Sequence, residues 1–241
     1  MYKEINSSEA FTNLIDSFWT FSNNKESESF KVLPDNCSDL IFDTVENKAF
    51  VSGVMTTYQP RELGINSNLI GIRFKTENFR TISNIPLYEI KDLRVEMAHV
   101  IPNYNPNILN KLNDISRIED KISFLEKFVL KTFNQSNKKQ DELILSVVNQ
   151  IRLAKGVINV KDLAKSYHIS LRQLERRFKI FIGLTIKEFS NVVRFKNAKD
   201  TISKLTETNL LEIAFDTGFF DHSHMNHEFK RLSGENPSFF R

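Results

Sequence analysis

The 241-residue chain contains one cysteine, Cys37, and only seven glycines. A single cysteine excludes an intrachain disulfide, as expected in a reducing compartment, and cannot supply a cysteine-based zinc site. The few glycines form no phosphate-binding loop and no nucleophile elbow, so we expect neither an enzyme nor a cofactor. No run of 18 apolar residues and no signal-peptide pattern is present. We therefore expect a cytoplasmic protein without membrane contact.

The positive charge lies towards the C-terminus. The formal net charge is +3, and residues 158–241 hold 14 Lys and Arg against 10 Asp and Glu. Four of the five histidines lie in the same segment. This distribution favours a nucleic-acid partner for the C-terminal part of the chain.

The first 100 residues contain short apolar runs separated by turn residues. The runs cover residues 30–33, 40–42, 49–54 and 69–74, with turn segments at 34–36 and 66–68. They predict short β-strands, whereas the apolar and aromatic segment 11–21 fits a helix or a strand. Arg61 and Arg73 could meet an anionic ligand, although arginines on the surface are the commoner explanation.

A helical zone follows at about residues 107–136. Its apolar residues recur every three or four positions and form one stripe, made of Leu112, Ile115, Ile118, Ile122, Leu125 and Val129. Such a stripe fits a helix packed on its own domain or a dimerisation helix. The polar segment 134–140 is the best linker candidate. We therefore predict an N-terminal domain at 1–135, β-rich to about residue 100 and helical after, and a C-terminal domain at 136–241.

Residues 160–183 fit a helix-turn-helix. A short amphipathic helix ends near Tyr167, and Ser170 with Gln173 forms a potential capping box for a second helix at about 170–181. The inner side of this helix is apolar, and the outer side carries Arg172, Arg176 and Lys179, flanked by Gln173 and Glu175. Arginine can pair with guanine, glutamine with adenine, and glutamate with cytosine.

The same pattern recurs at residues 210–234. Gly218 suits a left-handed turn, and Asp221 or Ser223 can cap a helix at about 222–233. Its outer side is predicted to carry Ser223, His227, Lys230 and Arg231. A long helix at 185–205 would join the two units, which could then enter successive major grooves about 34 Å apart.

Residues 160–241 resemble the DNA-binding domain of the AraC-type (arabinose regulator, AraC/XylS) family of bacterial transcription factors. The resemblance rests on VKDLA (160–164), ISLRQLERRF (169–178), Gly183, Arg194, Ala198, Ile213, Ala214, GFFDHSH (218–224), Phe229, Lys230, Gly234, Pro237, Phe240 and Arg241. It implies sequence-specific binding to double-stranded promoter DNA, and contact with RNA polymerase if the protein activates. It also implies an all-α C-terminal domain.

Individual site residues follow from the matched positions. Arg172, Glu175 and Arg176 should read bases in one groove, with Gln173 beside them, and Ser223 and His227 should do so in the next. Lys179, Lys230 and Arg231 are expected on DNA phosphates. His227 stands where the family often has arginine, and Met225 replaces a common aromatic residue. We therefore expect the second unit to contribute less affinity or to favour backbone and shape contacts.

The segments 34–42 and 69–74 resemble the shorter sensor domains of some family members. Such domains are cupin-like β-barrels that bind a small effector or form a dimer. The β-rich zone here is short for a complete barrel, so the resemblance implies a partial one and an α+β protein overall. A small-molecule effector and a homodimer are both open, and no effector-binding residue can be named.

Three other functions have some support in the sequence. A metal site at His222, His224 and His227 is disfavoured because residues two apart on a helix diverge. A DNA-repair methyl acceptor needs more cysteines than Cys37, which we expect to be structural. An interaction module or anti-regulator that keeps this fold without binding DNA is the remaining alternative.

Overall fold

The computed structural model describes residues 1–23, 28–136 and 138–241. Asn137, inside the predicted linker, lies outside the described residues. Within these ranges the N-terminal part has eight strands: β1 Tyr2–Ile5, β2 Ile15–Asn23, β3 Glu28–Val32, β4 Cys37–Asp43, β5 Lys48–Ser52, β6 Gln59–Leu63, β7 Ser67–Lys75 and β8 Arg94–Glu96. Each predicted apolar run lies largely in a strand, and residues 15–21 of the ambiguous segment belong to β2. Asn36 and Asn66 occupy the left-handed conformations that the predicted turns require.

The strands form two antiparallel sheets. The larger sheet has the order β1-β2-β7-β4-β5-β8, and the smaller pairs β3 with β6. One face of the larger sheet packs on four helices and carries residues such as Phe18, Leu40 and Ile72. The other face meets the smaller sheet, where the Phe21 and Phe30 rings stack at 5.4 Å between centroids. A sheet that is apolar on both faces thus explains the dense apolar runs of β2, β4 and β7.

Four helices cover the first face: α1 Thr76–Phe79, α2 Met97–Val100, α3 Asn107–Asp114 and α4 Ile118–Gln135. The predicted single stripe from Leu112 to Val129 is therefore wrong in one respect, because Ile115 is extended and separates two helices. Leu112, Leu125 and Val129 are buried in the core of the same chain. The apolar residues of the stripe pack on their own domain, while dimerisation stays a prediction.

Two side chains of the N-terminal part, Arg73 and Cys37, are held inside the fold. The Arg73 guanidinium contacts Glu4, Asp35 and Asp39 at 3.0–3.3 Å, so its charge is already balanced and it is not an open anion site. Burial among these competing carboxylates raises the pKa of Asp39 to about 6, against the opposing effect of Arg73. Cys37 opens β4, and burial raises its pKa well above the ordinary range, in line with a structural cysteine.

The C-terminal part is helical, with α5 Glu142–Leu153, α6 Val160–Ser166, α7 Leu171–Ile182, α8 Ile186–Lys204, α9 Leu210–Asp216, α10 His222–Ser233 and a short 3-10 helix at Pro237–Phe240. One apolar cluster joins α5, α6 and α7 to the start of α8. A second joins the rest of α8 to α9 and α10. The predicted α+β class, with two helix-turn-helix units on one long helix, is confirmed.

The two parts of the chain touch through polar contacts and a few apolar ones. The Asn36 amide donates to the Phe189 carbonyl at 3.0 Å, and Arg152 of α5 pairs with Glu77 of α1. Val54 of the N-terminal part lies in the first helical cluster. The apolar cores of the two parts are otherwise separate. This separation fits a domain boundary near residue 135, which stays a prediction. No helix in the described ranges has the length and apolarity needed to cross a membrane.

Candidate nucleic-acid interface

The first helix-turn-helix unit is fixed by local caps. The Asn159 side chain accepts from the backbone of Lys161 and Asp162 at the start of α6. His168 takes a left-handed conformation in the turn, and Ser170 caps α7. Gly183, at φ 85°, ends α7, where a side chain would be strained. The predicted helix at about 170–181 is therefore confirmed within one residue.

Helix α7 separates an apolar side from a charged one. Leu174, Phe178 and Ile182 are buried in the core, and the Phe178 ring meets Phe189 of α8 edge-on at 5.6 Å. Exposed on the other side are Arg172, Gln173, Glu175, Arg176 and Lys179. The outward direction predicted for these five side chains is confirmed, while their DNA contacts stay predictions.

Gln173 is occupied in the capping box. Its Oε1 accepts from the Ser170 backbone N–H at 3.3 Å and from the Ser170 hydroxyl at 2.9 Å. In return, the Ser170 Oγ accepts from the Gln173 backbone N–H. The sequence suggested both a capping role and a base-reading role for Gln173, and the structure shows the first. A bidentate contact with adenine would require the side chain to leave this box.

The second unit repeats the first. Asn209 caps α9, and Gly218 takes φ 81° in the turn. Of the two predicted caps for α10, Asp221 holds the position and accepts from the His224 backbone N–H at 2.7 Å. Ser223, exposed near the start of α10, does not cap it. The predicted helix at 222–233 is confirmed.

The outer side of α10 carries fewer cations than that of α7. Ser223, His227 and Lys230 are exposed. Because both helices have 12 residues between an N-cap and a C-terminal glycine, these three match Arg172, Arg176 and Lys179 in register. The second unit thus replaces two arginines of the first with serine and histidine.

Arg231 does not face outward as predicted. Its guanidinium donates to the Glu228 carboxylate at 2.7 Å and to the Thr56 carbonyl at 2.9 Å. Burial opposes ionisation of Glu228, yet the hydrogen bond and charge of Arg231 hold the pKa of Glu228 below its ordinary value. The prediction was wrong because Thr56 is distant in sequence, and Arg231 links α10 to the N-terminal part instead of pointing at solvent.

Helix α8 fixes the second unit relative to the first. Arg194 donates to the Gly218 carbonyl at 3.0 Å and to the Asn191 Oδ1 at 2.6 Å. Its guanidinium also lies over the Phe219 ring, 5.1 Å from the centroid. Asn191 in turn donates to Glu228 of α10 at 3.1 Å. These contacts tie the turn and the recognition helix of the second unit to the spacer.

The N-terminal part touches both units. Lys179 Nζ lies 5.5 Å from the centroid of the Tyr88 ring, beside the end of α7. At the end of α10, the Thr57 hydroxyl donates to the Arg231 carbonyl at 2.6 Å. The N-terminal part therefore bridges the C-terminal ends of both recognition helices and leaves their exposed N-terminal side chains uncovered.

Two histidines of α10, His222 and His224, contact neighbouring residues of their own helix and turn. His224 Nδ1 accepts from the Phe220 backbone N–H at 3.2 Å, and His222 Nδ1 lies 3.3 Å from the Asn226 amide nitrogen. Across the part of the chain that the structure describes, no group of three His, Cys, Asp or Glu could hold a metal ion.

Comparison with known proteins gives two partial matches to family models. A model described as a helix-turn-helix domain matches residues 163–241, and one described as a domain of unknown function (DUF6597) matches residues 3–96. The first match covers both recognition helices and the spacer between them. Residues 163–241 are thus similar to a helix-turn-helix domain, in line with the AraC-type resemblance of the sequence.

Two curated relatives carry regulator names. The Msm operon regulatory protein of Streptococcus mutans is 28% identical over 120 residues, which are 49% of this chain and 43% of the relative. The HTH-type transcriptional regulator MtrA of Neisseria gonorrhoeae is 31% identical over 83 residues, which are 34% of this chain and 27% of MtrA. The chain thus spans less than half the length of these relatives.

A solved structure aligns over the full length. An apo variant of ToxT from Vibrio cholerae is 15% identical, covers 98% of both chains and has a TM-score of 0.47. Another ToxT crystal structure, described as bound to an unsaturated fatty acid, has a TM-score of 0.44.

Two residues that position the helix-turn-helix units were not predicted from the sequence. Arg177 donates to both oxygens of Asp141, the N-cap of α5, with a shortest distance of 2.6 Å. Arg194 was noted only as part of the resemblance, and its links to Gly218 and Asn191 were not foreseen. The signal in both cases was an arginine on the margin of an apolar face, where a buried partner is needed.

Proposed function

We propose that this protein is a transcription regulator that binds promoter DNA with α7 and α10 in successive major grooves. The observation that carries the proposal is the pair of matched, capped recognition helices on one continuous spacer. Helix α8 has 19 residues. At about 1.5 Å per residue it spans about 28 Å, close to the roughly 34 Å between successive grooves on one face of the duplex. The protein acts by binding DNA and not by catalysis.

The exposed side chains divide between base and phosphate contacts. Arg172, Glu175 and Arg176 contact base edges in the first groove, and Ser223 and His227 do so in the second. Lys179 and Lys230, at matching positions towards the ends of the helices, contact phosphates. Arg231 is left out of this set because it is engaged with Glu228 and Thr56. The first unit therefore supplies most of the affinity, and binding weakens as salt increases.

The N-terminal part controls the placement of the two units. It contacts α7 through Tyr88 and α10 through Thr56 and Thr57. Because it contacts both helices, a shift of this part changes the surroundings of α7 and α10 and hence their access to DNA. A ligand, a partner or a second copy of the chain can cause such a shift. Contact with RNA polymerase follows if the protein activates, whereas repression needs only occlusion of the promoter.

An effector would need more room than the cavity on the sheet offers. A cavity of about 130 Å³ lies between the larger sheet and the start of α4, lined by Thr20, Asn68, Ser116 and Lys121 among others. Ordinary ligand sites measure about 300–1,000 Å³. Binding of an effector at this place would therefore require α4 to move away from the sheet.

Selection of binding sites from genomic duplexes tests the proposal. The purified protein is used at about 150 mM salt, near the physiological ionic strength. The test variant is Arg172→Ala/Arg176→Ala, and the control is Lys127→Ala/Lys131→Ala, which removes two exposed charges with the same spacing from α4. We expect a motif of two blocks about one helical turn apart, retained by the control and lost in the test variant. Weak binding without a motif by the wild-type protein would favour the interaction module instead.

A further inference from the structure

The turn of the second unit contains one residue more than the turn of the first. The Ile169 N–H donates to the Ala164 carbonyl at 3.2 Å, and the Phe219 N–H donates to the Ala214 carbonyl at 2.9 Å. These bonds mark Ile169 and Phe219 as equivalent positions. The N-cap of α7 follows Ile169 directly, whereas Phe220 stands between Phe219 and the N-cap of α10.

This additional residue is a phenylalanine in solvent. The side chain of Phe220 is 81% exposed, more than any other large hydrophobic side chain among the described residues. Its backbone is nevertheless held firmly. Phe219 before it is buried under Arg194, and the Phe220 N–H donates to His224 Nδ1 at 3.2 Å. The backbone therefore sets where the Phe220 side chain leaves the turn, so that only side-chain rotamers remain to be ordered in a contact.

We propose that Phe220 contacts the 5-methyl group of a thymine in the DNA block bound by α10. This inference rests on the proposed function. In helix-turn-helix proteins, the N-terminal residues of the recognition helix contact base edges, and Phe220 lies three residues before Ser223. The thymine methyl is the apolar group of the major groove, and phenylalanine is one of the side chains that contact it.

The composition of α10 favours DNA as the partner of Phe220. Ser223 and His227 replace the two arginines of the first unit, so α10 has fewer groups for guanine, and an apolar contact restores sequence preference. The exposed residues beyond Phe220 on α10 are polar or cationic, namely Ser223, His227 and Lys230. Such surroundings suit a polyanion better than an apolar protein surface.

Replacement of thymine by deoxyuridine, which lacks only the methyl group, tests the contact directly. The probe is the two-block duplex selected by the wild-type protein, with each thymine of the second block changed to dU in turn. The test variant is Phe220→Ala, and the control is Phe239→Ala. Phe239 is 68% exposed but lies after the C-terminal end of α10. Both substitutions are at exposed positions, so both variants should fold.

We expect one dU substitution to weaken wild-type and Phe239→Ala binding about fourfold, as for the loss of one buried methyl group. The same substitution should leave the Phe220→Ala affinity unchanged. If the site is bound but no dU substitution weakens binding, or if it weakens Phe220→Ala equally, the inference is wrong and the proposed function stands. If Phe220→Ala binds DNA normally but no longer regulates transcription, Phe220 contacts a protein instead. Failure of the wild-type protein to select any duplex overturns both proposals.

Discussion

Two adjacent arginines of α7 should have separable roles. Arg177 donates to Asp141 through Nε at 3.0 Å and Nη2 at 2.6 Å, and the Asp141 side chain is only 7% exposed. Substitution Arg177→Ala leaves this carboxylate with the Ile144 N–H as its remaining partner given by the structure. Removal of one partner of a fully buried ion pair costs about 3–5 kcal/mol. Because Arg177 is 39% exposed and water can partly replace it, we expect about 2–3 kcal/mol of lost unfolding free energy.

The neighbour Arg176 provides the matched control. It is exposed on the outer side of α7, so Arg176→Ala should change the unfolding free energy by less than about 0.5 kcal/mol. The same substitution should weaken binding to a specific site by about 1–3 kcal/mol and relax base preference at one position. Urea denaturation and DNA titration of the same preparations measure both quantities. Equal destabilisation by the two substitutions, or an unchanged binding isotherm for Arg176→Ala, would refute this division of roles.

Three further predictions follow from single contacts. Gly183→Ala should destabilise the protein by about 1–2 kcal/mol in thermal unfolding, since φ is 85° and the new Cβ would lie 2.9 Å from the Leu87 carbonyl oxygen. Asp221→Ala should cost about 1 kcal/mol through loss of the α10 N-cap, and footprinting should show weaker protection of the second block only. The pKa of Asp39 is about 6 in the fold and about 3.9 when unfolded, so its contribution to stability is present below pH 4 and is lost as pH rises through 6. Between pH 4.5 and pH 7.5, the unfolding free energy of Asp39→Asn should therefore rise by about 2 kcal/mol relative to that of the wild-type protein. Denaturation at the two pH values measures this change, and an equal difference between the proteins at both would contradict the assignment.

The helix-turn-helix units were predictable because their boundaries follow local rules. Ser170 with Gln173, Gly183 and Gly234 mark helix ends through contacts within a few residues. The central strands were predictable for a similar reason, since strands buried on both faces produce uninterrupted apolar runs. The family resemblance added a register for the outer side chains, which periodicity alone could not assign to DNA.

Features that depend on distant partners were not predictable. Strands β1 and β8 are the two edges of the larger sheet and carry few apolar residues, so they lacked a recognisable pattern. The break at Ile115 was hidden because the apolar spacing continues across it. The outward placement of Arg231 failed because its Thr56 partner lies 175 residues away. In each case tertiary contacts stabilise the observed structure, and a local sequence pattern does not reveal such contacts.

The most direct test of the account changes the spacing between the two blocks of the selected site. Insertion of five base pairs, about half a helical turn, moves the second block to the opposite face of the duplex. Because α8 is one continuous helix, α7 and α10 could not then engage both blocks at once. We predict that affinity falls to that of a single block and that Phe220→Ala causes no further loss on the inserted site. Undiminished binding to the inserted site would contradict simultaneous docking of the two recognition helices.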